Sequence, residues 1–402
     1  MKKYFILTLF FLISNVVFSQ EKDTVYGSVK SVREEVIFLN NDKQNYKLFS
    51  FDGDYGHSGF ISNKVTKSRF YSNWYESEFV HYLNYYKEFN IDGNPTNETW
   101  YGKDNKLEKK YEYKYNENKS LIQVKEIYGY DSSYSITNYC WDDKNLLSTL
   151  TYYSDNPEIF RYSNYLYDKK DCRNTIEFNS YDNEGPQSGY KIIFNENGKE
   201  KQKLNRNYWV YQYFKDGSSS YHRGNVGNLQ LNQEYFYSAN GNLIETQYYK
   251  KKYKDENEIE MGGKINNYYT HLNMLKFSIT SDKDSISNIK EYKYDDFNRN
   301  IEKNFYYQRH LVKNDDILYE NKIDLKGLKQ PKMGLILHEK LQIKYVGDIL
   351  SELVGVIKYE DYRSFTCKFE YTYDDKKNWI EIVKYVNGEK LYVWKRKIIY
   401  YK

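Results

Sequence analysis

Phe89-Asn90-Ile91-Asp92-Gly93-Asn94 reads as the turn of a β-hairpin: an aromatic residue, an Asx, then a short polar run around Gly or Asn. Gly and Asn tolerate the positive φ that tight hairpin turns demand. The same shape returns at Tyr115-Asn116, Trp141-Asp142, Tyr167-Asp168, Phe194-Asn195, Tyr237-Ser238, Tyr294-Asp295 and Tyr373-Asp374. The aromatic markers thus recur at a near-constant interval from Phe89 to Phe194 and at widening intervals from there to Tyr373. Before a marker lies an alternating run such as Tyr111-Glu112-Tyr113-Lys114-Tyr115, the pattern of a strand with one face buried. After it comes a β-prone return strand such as Leu243 to Tyr249. A unit of about 26 residues therefore holds two strands of about 8 to 10 residues and two turns.

Working outward, the regular array covers residues 85–215, and residues 216–402 carry spread hairpin repeats with polar insertions. The gaps from Tyr237 to Tyr294 and from Tyr294 to Tyr373 are near two and three units and call for degenerate hairpins. The gap from Phe194 to Tyr237 fits no multiple and calls for a long insertion. Residues 20–84 read as N-terminal capping strands, with Val25 to Val32 and Glu34 to Phe38 as an alternating pair, because the terminal units of a repeat array are atypical. The crowded aromatics between Phe70 and Tyr86 also read as strand. Pro95, Pro157 and Pro186 fall at turn positions, where a missing amide breaks no ladder.

Residues 1–19 read as a signal peptide: Lys2 and Lys3 precede an apolar run from Phe5 to Val17, and Gln20 follows the expected cut. The expected product is exported to the periplasm or beyond, with no membrane span in the mature chain. Losing Lys2 and Lys3 lowers the formal charge from +4 to +2, so no electrostatic case exists for nucleic acid. The 49 Tyr and mean hydropathy of −0.92 leave little aliphatic material for a thick core and favour thin layers of hairpins with wetted hydroxyls. Cys140, in a strand beside Trp141, and Cys172, in a turn region, occupy different places in the unit, which argues against a built pair, and Cys367 is expected to be unpaired.

Tyr294-Asp295 with Asn298-Arg299-Asn300-Ile301, Tyr237 with Gly241-Asn242-Leu243-Ile244, and Tyr373-Asp374 with Asn378-Trp379-Ile380 resemble the Tyr-Asp (YD) repeats of the Rhs family. The chain is also similar to exported proteins of Bacteroidetes that carry such repeats. The resemblance implies an all-β fold of tandem antiparallel β-hairpin repeats forming an extended, curved sheet. In large family members such sheets wrap into a shell around a toxin; this chain is expected to be too short for a closed shell. Lys119, Asn145 and Lys377 stand where the repeat has Gly.

No motif concentrates chemistry. The six His are scattered without metal spacing, the acidic clusters lack a calcium-loop pattern, and no cofactor is indicated. The site residues that the sequence offers are the repeat markers themselves, Phe89, Tyr115, Trp141, Tyr167, Phe194, Tyr237, Tyr294 and Tyr373. The expected function is that of a non-catalytic binding or scaffold module of the cell envelope, its partner an envelope glycan or another envelope protein. The alternative is a polysaccharide-acting enzyme on a broad β-surface, which would show perturbed carboxylates. The six Trp offer a sugar-stacking platform or, for Trp141 and Trp379, sheet packing.

Overall fold

The computed structural model describes residues 25–39, 73–78, 80, 83–102, 105–156, 159–167, 172–182, 185–207, 209–213, 219–223, 229–252, 255–282, 285–308, 317–318, 334–358 and 361–402. Among these the order is β1 (Val29–Phe38), α1 (Asn73–Glu76), β2 (Asn84–Phe89), β3 (Pro95–Tyr101), β4 (Leu107–Tyr115), β5 (Leu121–Tyr128), β6 (Tyr134–Trp141), β7 (Leu146–Tyr153) and β8 (Phe160–Tyr167). It continues through β9 (Arg173–Asp182), β10 (Gly185–Phe194), β11 (Glu200–Asn207), β12 (Trp209–Tyr213), β13 (Ser219–Arg223), β14 (Gln230–Tyr237), β15 (Leu243–Lys252) and β16 (Asp255–Tyr269). The last third holds β17 (Leu275–Asp282), β18 (Ser285–Tyr294), β19 (Asn300–Gln308), β20 (Leu335–Val346), β21 (Ile349–Lys358), β22 (Tyr362–Tyr373), β23 (Trp379–Val386) and β24 (Glu389–Tyr400).

The architecture is all-β and antiparallel, built of successive hairpins. β12 and β13 pair with each other as a small separate sheet, across which β11 pairs with β14; every other strand pairs with its neighbours in sequence, and β1 pairs with both β2 and β24. The 22-stranded sheet therefore closes into a ring, correcting the expectation that the chain is too short for closure. Closure removes the open edges that an extended sheet would leave. The expected strand pair over Val25 to Phe38 is the one strand β1, which closes the ring between its first and last hairpins. Part of the expected strand between Phe70 and Tyr86 is instead the helix α1.

The turns after the markers lie at one end of the ring, and their geometry repeats. Asn90, Asn116, Asn195, Asp295 and Asp374 each donate their amide to the carbonyl four residues on and accept backbone amides at their side-chain oxygen. Ser238 and Thr270 do the same with a hydroxyl. The residue three after the Asx takes the left-handed conformation: Gly93 (φ 78°), Lys119 (φ 61°), Gly198 (φ 71°) and Lys377 (φ 65°). Lysine thus serves where the repeat has Gly, the backbone bonds offsetting a modest strain. Asn145 is different: the turn from Asp142 is one residue shorter, and Asp142 bonds directly to Asn145.

Two faces result from the alternation. In β22, Phe365, Cys367 and Phe369 are buried while Thr366, Lys368 and Glu370 are exposed. Carried through the registers, the first set belongs to an aromatic face with Trp394, Tyr85, Trp100 and Tyr111. The second belongs to a charged face bearing ladders such as Lys110–Glu112, Lys344–Glu352 and Lys368–Glu370. The main core lies on the aromatic face where β20–β24 meet β1–β4, with α1 laid over it so that Trp74 packs edge-on against Trp394 and Tyr392. A smaller buried cluster of Phe277, Ile279, Ile286, Ile289 and Leu335 sits on the other face of β17 and β18.

Candidate functional site

Each marker ends the incoming strand of its hairpin, opposite the first residues of the outgoing strand, and a bulge falls there every time: Phe89 faces Pro95, Tyr115 faces Leu121, Trp141 faces Leu146, Tyr167 faces Arg173, Phe194 faces Glu200, Tyr237 faces Leu243, Tyr294 faces Asn300 and Tyr373 faces Trp379. A bulge leaves a backbone group out of the ladder. The next hairpin supplies its partner. Tyr115 Oη donates to the Pro95 carbonyl (2.8 Å), Trp141 Nε1 to Leu121 (2.7 Å), Tyr167 Oη to Leu146 (2.9 Å), Tyr237 Oη to Glu200 (2.8 Å) and Tyr294 Oη to Leu275 (2.8 Å). The markers share the aromatic face but stand two strands apart from Phe89 to Tyr237 and four apart from there to Tyr373, so none are direct cross-strand neighbours.

Two residues overlooked in the sequence complete the series. Tyr269 Oη donates to the Leu243 carbonyl and Tyr345 Oη to that of Asn300; they fill the gaps that follow Tyr237 and Tyr294. The second of these gaps thus holds two units and a long connection, not three units. The gap between Phe194 and Tyr237 is the β12–β13 excursion. In the last hairpin Tyr371, two residues before marker Tyr373, donates to the Leu350 carbonyl.

The ring is closed by buried charge. Arg396 Nε donates to Glu34 Oε1 at 2.8 Å with both side chains fully buried, and Trp394 Nε1 donates to the other carboxylate oxygen. One hairpin away the motif repeats: Lys87 pairs with Glu98 at 2.6 Å, and Trp100 Nε1 and Tyr113 Oη also donate to Glu98. Further on, Glu126 takes Lys109 and the Tyr111 hydroxyl. Burial, then the adjacent carboxylates, push the Tyr111 and Tyr113 phenols well above their ordinary range. Lys384 is wholly buried, donates to the Ser77 carbonyl at 2.6 Å and is held down to about 8 by burial, against the opposing pull of Cys367 and Glu78. An acid inside an aromatic strand, opposite a Trp or a cation, was the overlooked sequence signal for these pairs.

One carboxylate pair differs from these. Glu76 of α1 bonds Lys303, and Glu339 of β20, on the same face, is pushed up by burial first and by the Glu76 charge second, against Lys303 and Lys290. Among the described residues no group of three or more His, Cys, Asp or Glu could hold a metal ion. Cys140, Cys172 and Cys367 form no disulfide with one another. Trp74, Trp100, Trp379 and Trp394 are buried, which removes them from any sugar-stacking platform. Trp141 is half-buried.

No family model and no curated protein matches the chain. Among solved structures it is similar to the Photorhabdus luminescens Tc holotoxin pore with a mutated TccC3 (10% identity, 77% of this chain and 19% of that one, TM-score 0.29). It is also similar to porin-like proteins from Bacteroides uniformis (10% identity, 94% and 100% covered, TM-score 0.26) and Bacteroides vulgatus (10% identity, 93% and 98%, TM-score 0.20). The chain spans about a fifth of the Tc toxin chain it matches. Likenesses at these TM-scores carry no functional argument.

Proposed function

We propose that the chain is a non-catalytic binding or scaffold module of the cell envelope, with the aromatic face of the ring as its working surface. One observation carries this reading. That face changes from a filled core at the closing seam to a surface reached by solvent over β6–β11, where Tyr139, Trp141, Tyr165 and Tyr167 are half-buried and Arg161 and Arg173 exposed. This reading sets the face on the inside of the ring, where the side chains of a closed sheet converge and shield one another, in keeping with the burial of Glu34, Lys384 and Arg396. A ring of 22 strands is wider than inward side chains alone can fill. The charged face would then meet water, since its Lys–Glu ladders stand where a lipid-facing band would be apolar. Export rests on the signal-like residues 1–19, which lie outside the described set.

Binding of the purified chain to envelope fractions and to a panel of neutral and charged glycans tests the reading. Retention on at least one fraction, lost when Tyr139, Tyr165 and Tyr167 are changed together to Ala in a chain that still folds, is expected. Retention that ignores those changes overturns the choice of surface. The enzyme remains the second reading because of the Glu76–Glu339 pair, since a raised carboxyl beside a second carboxylate is the arrangement of glycoside hydrolysis. Release of reducing sugar that vanishes in Glu339→Gln would establish it in place of the binder.

A further inference from the structure

We propose that the aromatic face of β8–β11 binds an acidic polysaccharide through Arg161, Arg173 and Lys203; this rests on the binding reading above and gives the ligand its charge. At and beside the seam four cations of this face have carboxylates, Lys87 with Glu98, Lys109 with Glu126, Arg396 with Glu34 and Lys303 with Glu76, while Lys384 is held by the Ser77 carbonyl. Over β8–β11 the pattern changes. Arg161 lies over the Tyr153 ring (5.7 Å), Arg173 over Tyr165 and Tyr167 (5.2 and 5.9 Å) and Lys203 over Tyr190 (5.2 Å). Among the described residues no carboxylate forms an ion pair with any of the three. Glu200, which stands opposite Phe194, acts on the phenols of Tyr235, Tyr237 and Tyr190 and forms no ion pair with Lys203.

A guanidinium held on a ring face keeps its in-plane N–H groups, and an ammonium the N–H groups that point away from the ring, for an incoming carboxylate or sulfate. The registers Arg161 to Ser180, Tyr167 to Arg173, Ile176 to Ile192 and Ile192 to Lys203 separate Arg161 from Arg173 by about 20 Å along the strands and place Lys203 about 10 Å across and a further ~7–10 Å along from Arg173. Three charges over that span are far sparser than the one per ~3.4 Å of a nucleic-acid strand. They suit an acidic polysaccharide whose carboxylates reach the cations while its hydroxyls meet the phenol hydroxyls of Tyr165 and Tyr190.

The test uses the full mature chain with polygalacturonate, neutral dextran and single-stranded DNA as probes, each at low and at high salt. Polygalacturonate should bind, weaken as salt rises, and lose about tenfold in affinity for each cation removed among Arg161→Ala, Arg173→Ala and Lys203→Ala. Arg161→Lys with Arg173→Lys should keep the salt dependence but bind more weakly than the parent and more tightly than the double Ala variant, because the charge stays while the planar fork is lost. An unchanged denaturation midpoint shows that each variant folds. Binding of neutral dextran alone would keep the binding reading and overturn the acidic one. A preference for DNA, or polygalacturonate binding indifferent to the three substitutions, would also overturn it; no binding to any probe or envelope fraction would end both.

Discussion

Replacing the latch hydroxyls with hydrogen isolates what joins one hairpin to the next. Tyr115, Tyr167, Tyr237 and Tyr294 donate at 2.8, 2.9, 2.8 and 2.8 Å to the carbonyls of Pro95, Leu146, Glu200 and Leu275. Tyr→Phe keeps the ring and leaves a carbonyl short of its donor, at a cost of about 1 kcal/mol per site. The four lie four or more strands apart in the ring, so the effects should add to about 4 kcal/mol in the quadruple variant. Tyr269→Phe is the internal control, because the Leu243 carbonyl also accepts from Asn267 Nδ2 at 3.0 Å; its loss should be well under half that of Tyr294→Phe. Urea unfolding followed by circular dichroism reads each change as a lower midpoint at constant slope. A quadruple variant weakened by under about 1 kcal/mol would show that the latches are geometric accompaniments of the bulges and hold nothing.

Glu34→Gln leaves the Arg396 guanidinium buried without its counter-charge and should cost about 3–5 kcal/mol, read from the same urea transition, whereas Glu34→Leu with Arg396→Leu should recover most of that loss. Stability should rise as pH increases from about 8 towards 10: Lys384 has a folded pKa lowered to about 8, so the unfolded chain holds the extra proton in that window and the burden of the buried charge is relieved. Lys384→Met should abolish the rise. Above pH 10 the sign reverses, since burial raises Tyr115, Tyr235 and Tyr400 to about 12 and the unfolded phenols lose their protons first; thermal melts across pH 7 to 11 measure both limbs.

Hairpins were legible because their turns advertise themselves in local chemistry: an Asx oxygen caps the turn and the residue three positions on accepts a left-handed backbone. Where that chemistry was written differently, the unit was overlooked. Tyr269 is followed by Thr270, whose hydroxyl caps as well as an Asx, and Tyr345 leads into the two-residue turn at Gly347-Asp348. Closure left no such trace. β1 is not turn-linked to its partners: β2 follows only after the stretch that holds α1, and β24 is the last strand of the chain. Nothing in Val29 to Phe38 names either of them. The buried acids were equally obscure, because Glu34 alternates with Val32 and Val36 and becomes intelligible only when Arg396 and Trp394 are brought opposite it.

Closure by β1 can be measured with two cross-links in one molecule. Glu35 lies directly opposite Lys395 of β24, and Arg33 opposite Tyr86 of β2; Cβ atoms of such pairs stand about 4.5–5.5 Å apart, within reach of a short bis-thiol linker. With Cys140 and Cys172 replaced by Ser and Cys367 by Ala, the variants Glu35→Cys with Lys395→Cys and Arg33→Cys with Tyr86→Cys are cross-linked separately and then together, and the bridged peptides are identified by mass. The ring requires both bridges in high yield in the same monomer. A strand that bridges to β2 or to β24 but never to both would mean that the sheet is open.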